Sequence, residues 1–290
     1  MASADTLAAV LTAATAHVQA TAPHEARLKC EWLLSSALGC ARLELSARRD
    51  QHLTESQVRQ VEEGALRLAA GEPLQYVLGE AEFLGRVFAC DARALIPRPE
   101  TEQLVAWLLE DETLWQTKAP TIADIGAGSG CIVISLALER PQGRYLATDT
   151  SAVALALARE NAARHGVSAR IRFIEGDLLA GAAPETTLTG LDAVVSNPPY
   201  VRAADWAWLE KSVRDFEPPA ALLGGADGLA VIRPLVAQAF HALKPGGMLF
   251  LEIGEDQGAT VQEIVRTAGF RDTRLRTDLA GKDRLLRARK

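Results

Sequence analysis

Thr121-Ile122-Ala123-Asp124-Ile125-Gly126-Ala127-Gly128-Ser129-Gly130 is a short apolar run that ends in three alternating glycines and opens into a largely apolar segment at 131–138. A run this continuous suits a strand buried on both faces of a parallel sheet, so the sequence predicts a strand over 121–125 and a helix over 129–139. Strand, glycine loop and helix in that order begin a wound α/β sheet. The loop then lies where open sheets of this kind take nucleotide-like ligands.

Downstream, the same alternation repeats. Strands are predicted over 144–148, 170–174, 191–196 and 248–253, with helices over 151–165 (closed by Gly166), 228–243 (ended by Lys244-Pro245-Gly246-Gly247) and 262–268. Segments 271–276 and 284–288 read as an antiparallel edge pair, which brings the total to about seven strands. Right-handed crossovers wind such a sheet.

Upstream, 6–70 reads as helices. Apolar residues recur at helical spacing in Leu28, Trp32, Leu33 and Ala37, Gly39 stops that helix, and Thr54 is a plausible N-cap ahead of Val58, Val61 and Leu66. Between Gly71 and Pro99 the texture changes to Gly, Pro and aromatics, and alternation over 86–89 resembles a β-hairpin. The two prolines of Ile96-Pro97-Arg98-Pro99 forbid regular structure there, and a helix with acidic residues in its first turn follows over 101–109. The expected organisation is a helical domain at 1–75, a hairpin connector at 76–96 and the α/β domain at 97–290.

Composition narrows the function classes. A chain of 290 residues with 48% hydrophobic content fills a substantial core, and a net charge of -6 gives no electrostatic footprint for a polyanion. The four cysteines form no C-x-x-C pair and the five histidines show no metal-ligand spacing, so reduced thiols and no metal are expected. Asp5 precedes the first apolar run without any Lys or Arg, unlike a signal peptide, and the longest uncharged apolar stretch, 125–138, is too short for a bilayer. A soluble, cytoplasmic protein is expected, with neither nucleic acid nor membrane as partner and a monomeric state.

The candidate site sits at successive strand ends. Glycines in Gly126-Ala127-Gly128-Ser129-Gly130 let backbone N–H groups approach a ligand, and the helix N-terminus behind them favours a carboxylate. The spacing is G-x-G-x-G, and Cys131 stands where the dinucleotide fingerprint G-x-G-x-x-G needs its third glycine, which argues against nicotinamide. Asp149, at the end of the second strand, can accept from both hydroxyls of a ribose. Asp177, after the third, can accept from the exocyclic amine of adenine, with Leu178 against the ring. Adenine, ribose and a carboxylate-bearing tail together describe S-adenosyl-L-methionine.

At the end of the fourth strand stands Asn197-Pro198-Pro199-Tyr200, where a methyl acceptor should be held. Each proline fixes its own φ, lacks an N–H and pushes its predecessor into extended backbone, so this segment is a stiff ledge of acceptors. The plainer reading of these four residues is turn punctuation.

The whole series of segments resembles the HemK/PrmC family of peptide chain release factor glutamine methyltransferases. It comprises a helical N-terminal part, Gly71-Glu72-Pro73-Leu74-Gln75-Tyr76, I-P-R-P-E-T-E at 96–102, D-x-G-x-G-S-G at 124–130, N-P-P-Y, Glu217-Pro218 with 222–229, and D-L-A-G-K-D-R at 278–284. The resemblance covers nearly the whole chain. It implies a class I, Rossmann-like methyltransferase that uses S-adenosyl-L-methionine to methylate N5 of the glutamine in the Gly-Gly-Gln motif of class I release factors. It implies Asn197, Pro198 and Tyr200 as catalytic, Asn197 to Tyr200 as substrate-binding, and Gly126 to Gly130, Asp149, Asp177, Leu178 and Asn197 as cofactor-binding.

Two alternatives use the same features. A DNA adenine-N6 methyltransferase shares N-P-P-Y but needs a basic cleft, against which the acidic total counts. A non-catalytic adaptor could hold the cofactor alone, and an intact Asn197 weighs against it.

Overall fold

The computed structural model describes residues 5–181 and 188–290, so the first four residues of the expected 1–75 domain lie outside the described residues. Two compact units are present: Met1–Glu80 with Glu210–Phe216, and Ala81–Leu209 with Glu217–Lys290. The expected hairpin connector has its residues from 81 onward in the second unit.

The first unit contains α1 (Leu7–Val18), α2 (Ala26–Leu38), α3 (Glu55–Ala69) and the short α4 (Leu74–Leu78). Gly39 ends α2 in the left-handed region at φ 62°, where its missing Cβ removes the steric penalty. Thr54 caps α3: its N–H donates to Gln57 Oε1 at 2.9 Å while its Oγ1 accepts from the Gln57 N–H at 3.3 Å. Leu7, Val10, Leu33, Leu34, Val61 and Leu68 fill the core. The stripe read on α2 is only half buried, because Leu28 and Trp32 face outward (44% and 42% exposed) while Cys30, Leu33 and Leu34 turn inward. Leu66 is likewise exposed, and α4 occupies the start of the expected hairpin segment.

The second unit opens, from Ala81, with the hairpin of β1 (Glu80–Phe83) and β2 (Arg86–Ala89). Its turn, Leu84-Gly85, has φ of 49° and 70°, the pair of positive values that matches the twist of a two-residue hairpin. Next come α5 (Pro99–Leu109) and α6 (Glu112–Trp115), then β3 (Thr121–Ile125), α7 (Cys131–Glu139), β4 (Arg144–Asp149) and α8 (Ala152–Arg164). They are followed by β5 (Ile171–Asp177), β6 (Ala180–Gly181), β7 (Leu191–Ser196) and α9 (Lys211–Arg214), the last counting with the first unit. The chain closes with α10 (Ile232–Ala242), β8 (Leu243–Glu252), α11 (Gly258–Thr267), β9 (Arg271–Thr277) and β10 (Asp283–Arg289).

The sheet order is β6-β5-β4-β3-β7-β8-β10-β9. Strands β5, β4, β3, β7 and β8 run parallel, whereas β10 is antiparallel to both β8 and β9. The expected seven strands are therefore present, and the two-residue β6 pairs antiparallel with β5 as an eighth. Successive side chains point to opposite faces. On one face Ile122, Ala193, Val195, Met248 and Phe250 pack with residues of α5 and α7; on the other Ala123, Ile125, Val194, Leu249 and Leu251 pack with α10 and α11. Burial on both faces explains why these strands read as continuous apolar runs.

Two boundaries differ from expectation. The helix predicted over 228–243 begins at Ile232, because Pro234 lacks an N–H and fits only in a first turn. Lys244-Pro245-Gly246-Gly247, read as a helix end, lies inside β8, where a register shift against β7 between Leu191 and Ala193 absorbs it. No helix among the described residues is long and apolar enough to cross a membrane.

Phe250 is fully buried and meets Trp107 edge to face at 6.0 Å between ring centroids. Phe250→Ala is expected to lower the unfolding free energy by about 3–5 kcal/mol, measured by urea denaturation. A loss below about 1 kcal/mol contradicts this packing.

Candidate functional site

A cavity of about 260 Å³ opens at the carboxyl ends of β3, β4, β5 and β7, within the second unit. Gly126, Ala127, Gly128, Ser129, Asp149, Asp177, Leu178, Asn197 and Pro199 line it, so most of the residues singled out from sequence meet there. Gly130, Pro198 and Tyr200 do not line it. Gly130 serves packing: at φ 80°, a Cβ on it would lie 2.9 Å from Ile134 Cδ1 and 3.1 Å from Ala158 Cβ, so it permits α7 and α8 to approach.

The acidic strand ends are already oriented by backbone. Asp149 accepts from the Gly128 N–H through Oδ2 at 2.9 Å and from the Ser151 N–H through Oδ1 at 2.8 Å. A carboxylate has about four lone-pair sites, so acceptor capacity remains for a ligand. Asp177 is the last residue of β5 and is exposed. Leu178 has φ 55°, unusual for a side chain of its size, and is held there as Thr148 Oγ1 donates to its carbonyl at 2.8 Å.

The ledge is braced from behind. Val201 N–H donates to Leu222 O at 2.9 Å, Gly224 N–H to Val201 O at 2.8 Å and Ala203 N–H to Gly225 O at 2.9 Å, a short parallel pairing of 201–203 with 222–225. Gln257 Nε2 adds donations to Tyr200 O and Gly228 O, each at 3.2 Å. Contact is so close that a Cβ at Gly224 would sit 2.7 Å from Pro199 O. The carbonyl of Pro198 receives no hydrogen bond from the described residues, as a ledge of free acceptors requires.

Tyr200 is placed differently from the expectation that it packs on a substrate. Its hydroxyl donates to Glu252 Oε1 at 3.2 Å, its ring packs with the core, and the Arg284 guanidinium lies 5.9 Å from the ring centroid. Burial and the Glu252 charge raise its pKa, so it stays neutral.

Sequence reasoning missed four polar residues that shape the site. Thr101 Oγ1 donates to Glu252 Oε2 at 2.6 Å and accepts from Asn197 Nδ2 at 3.1 Å. Glu217, almost fully buried, accepts from the Ile96 N–H at 3.1 Å and pairs with Arg98, tying two cavity-lining loops, 93–98 and 218–221, together. Gln257 is the brace already described. The available signal was a carboxylate at the end of an otherwise apolar strand, Met248-Leu249-Phe250-Leu251-Glu252. Such a group is buried and must have partners.

Asp124 is also fully buried. Its Oδ2 accepts from the Val133 N–H at 3.2 Å, whereas Oδ1 finds no partner among the described residues. Burial pushes its carboxyl up to about 7, the Val133 hydrogen bond opposing and the Asp149 charge adding.

A sheet in this order, with a glycine loop, an acidic strand end and an Asn-Pro-Pro ledge around one cavity at its switch point, defines a Rossmann-like methyltransferase. Residues 9–79 match the PrmC N-terminal domain and residues 103–213 the Methyltransferase small domain. The chain is 38% identical over 287 residues to the release factor glutamine methyltransferase of Nitratidesulfovibrio vulgaris, covering 98% of this chain and 95% of that one. It is 40% identical over 281 residues to that of Deinococcus radiodurans, covering 97% of each. The hMettl16 catalytic domain shares the fold at 17% identity and a TM-score of 0.54, over 79% of this chain and 81% of that one. The chain belongs to the release factor glutamine methyltransferase family.

The folded Asp124 carboxyl holds its proton up to about pH 7, whereas the unfolded one loses it near 3.8. Its contribution to stability is thus full at low pH and is lost as pH rises through 7, on the order of a few kcal/mol. Unfolding free energy from urea denaturation is expected to fall between about pH 4 and pH 7, and Asp124→Asn to shrink that fall. An unchanged fall in the variant contradicts the assignment.

Proposed function

We propose that this protein transfers a methyl group from S-adenosyl-L-methionine to the side-chain amide nitrogen, N5, of the glutamine in the Gly-Gly-Gln motif of class I peptide chain release factors. The observation that carries the reading is the position of Asn197. Its amide borders the cavity, tethered through Nδ2 to Thr101, beside a Pro198 carbonyl that receives no hydrogen bond from the described residues. Family membership supports the acceptor.

The cavity residues suit the cofactor. Gly126 and Gly128 have φ of 72° and 54° and line the cavity without side chains, so a bound group can come close to the loop backbone, whose Gly126 and Gly128 N–H groups are held by Thr148 O and Asp149. Asp149, pinned by Gly128 and Ser151, keeps lone pairs for ribose hydroxyls, and Asp177 with Leu178 borders the place for adenine. When bound, S-adenosyl-L-methionine supplies an electrophilic methyl on a sulfonium.

What remains for the protein is to orient the acceptor. An amide nitrogen is a poor nucleophile because its lone pair is delocalised into the carbonyl. Asn197 Oδ1 and the Pro198 carbonyl accept its two hydrogens, which favours a pyramidal nitrogen and directs the lone pair at the methyl. As the nitrogen takes the methyl, the S–C electron pair stays on sulfur to leave S-adenosyl-L-homocysteine, and the methylated nitrogen, now strongly acidic, releases one of its two hydrogens to water as a proton. Positioning and preorganised dipoles supply the rate, with no strong base. Pro199 contributes wall, and Tyr200 acts from behind through Glu252.

A DNA base as acceptor is disfavoured by the net charge of -6. Asn197→Ala is expected to reduce transfer to a purified release factor by at least about 100-fold while calorimetric binding of S-adenosyl-L-methionine changes less than about threefold. Asp149→Ala is expected to weaken that binding by at least about tenfold. Transfer that survives Asn197→Ala contradicts the mechanism.

A further inference from the structure

Behind Asn197 lies a chain of hydrogen bonds whose direction is forced. Thr101 borders the cavity beside Asn197 but is only 3% exposed, and Glu252, 1% exposed, lies behind it. Thr101 Oγ1 stands 2.6 Å from Glu252 Oε2 and 3.1 Å from Asn197 Nδ2, while the Tyr200 hydroxyl takes the other carboxylate oxygen at 3.2 Å. An ionised carboxylate only accepts, and a hydroxyl has one hydrogen to give. The hydrogen of Thr101 therefore goes to Glu252, which leaves Thr101 able only to accept from its third neighbour. Of the two ends of the Asn197 amide, only Nδ2 can donate. Oδ1 is consequently turned away from Thr101.

We propose that Thr101 and Glu252 are positioning residues that set the Asn197 amide so that Oδ1, and not Nδ2, meets the N–H of the substrate amide. This inference rests on the glutamine acceptor proposed above. Asparagine is nearly symmetric in shape, so packing alone selects poorly between its two orientations. The flipped amide would turn a donor toward a donor and forfeit the alignment of the lone pair. Tyr200, by occupying Oε1, holds the carboxylate in the orientation that serves Thr101.

The charge state that this direction needs is available in mildly basic solution. Burial pushes the Glu252 carboxyl up to about 7, while Thr101, Tyr200 and Arg284 on β10 oppose the shift and Glu100 on α5 adds to it. Cys131 on α7, pushed up to about 12, and Tyr200 stay neutral. Glu252 is thus mostly ionised at pH 8.

The test is steady-state transfer at pH 8 to a purified release factor by wild type, Thr101→Val, Thr101→Ser and Glu252→Gln, with S-adenosyl-L-methionine binding followed by calorimetry. Val keeps the shape of Thr and removes the hydroxyl; Ser keeps the hydroxyl. Thr101→Val and Glu252→Gln are expected to lower kcat by about 10- to 100-fold with cofactor Kd within about twofold of wild type, and Thr101→Ser to stay within about threefold of wild-type kcat. The retained cofactor affinity shows that the variants are folded. Wild-type kcat in Thr101→Val overturns the proposal, as does a Thr101→Ser variant impaired as severely as Thr101→Val, which would make side-chain volume the cause. A wild-type enzyme that leaves the release factor unmodified overturns the acceptor reading instead, and this inference with it.

Discussion

Between β3 and β7 the chain reverses the direction in which it adds strands, and the site follows from that reversal. From β3 the crossover through α7 leads to β4 on one side; from β7 the crossover through α10 leads to β8 on the other. Because right-handed crossovers in opposite directions put their helices on opposite faces, α7 and α10 diverge and leave a crevice above the strand ends. The glycine loop after β3 and the ledge after β7 are its neighbouring walls, adjacent because Ile125 pairs with Ser196 at the last step of the ladder. Ser196 reinforces that step by donating its hydroxyl to Ile125 O at 2.6 Å.

A ledge made with two prolines has few donors of its own and must be fixed by its surroundings. The segment 222–228 meets this need by pairing with 201–203, and Gln257 joins the two backbones. Glycines at 224 and 228 are required because a Cβ at either would lie within 2.7 Å of a backbone carbonyl oxygen. On the opposite side, Glu217 holds the 96–98 segment through both carboxylate oxygens. Buried charged groups of this kind add little net stability once desolvation is counted, yet removing one partner is costly. Their effect is to leave the cavity walls one arrangement.

Much of this was legible from residue pattern. Strands β3 and β7 appear as apolar runs because both faces are covered, and Asp149 and Asn197 sit at abrupt strand ends that periodicity marks well. Helical spacing showed Trp32 and Leu66 to belong to helices without saying which stripe is buried, and both are exposed. Thr101 and Glu252 were invisible for a different reason: they lie 151 residues apart in the chain, and only the packing of α5 against β8 brings them together. Tyr200 illustrates the same limit. Its place in N-P-P-Y suggested a substrate contact, whereas its hydroxyl turns inward to a carboxylate that only the folded sheet supplies.

The central claim is that this crevice presents a glutamine amide to a methyl donor. The most direct measurement is tandem mass spectrometry of a class I release factor, with duplex DNA in a parallel reaction, after incubation with the protein and S-adenosyl-L-methionine. The account predicts one added methyl on the glutamine of the Gly-Gly-Gln peptide and unmodified DNA. A methyl on an adenine, or on any release factor residue other than that glutamine, would contradict it.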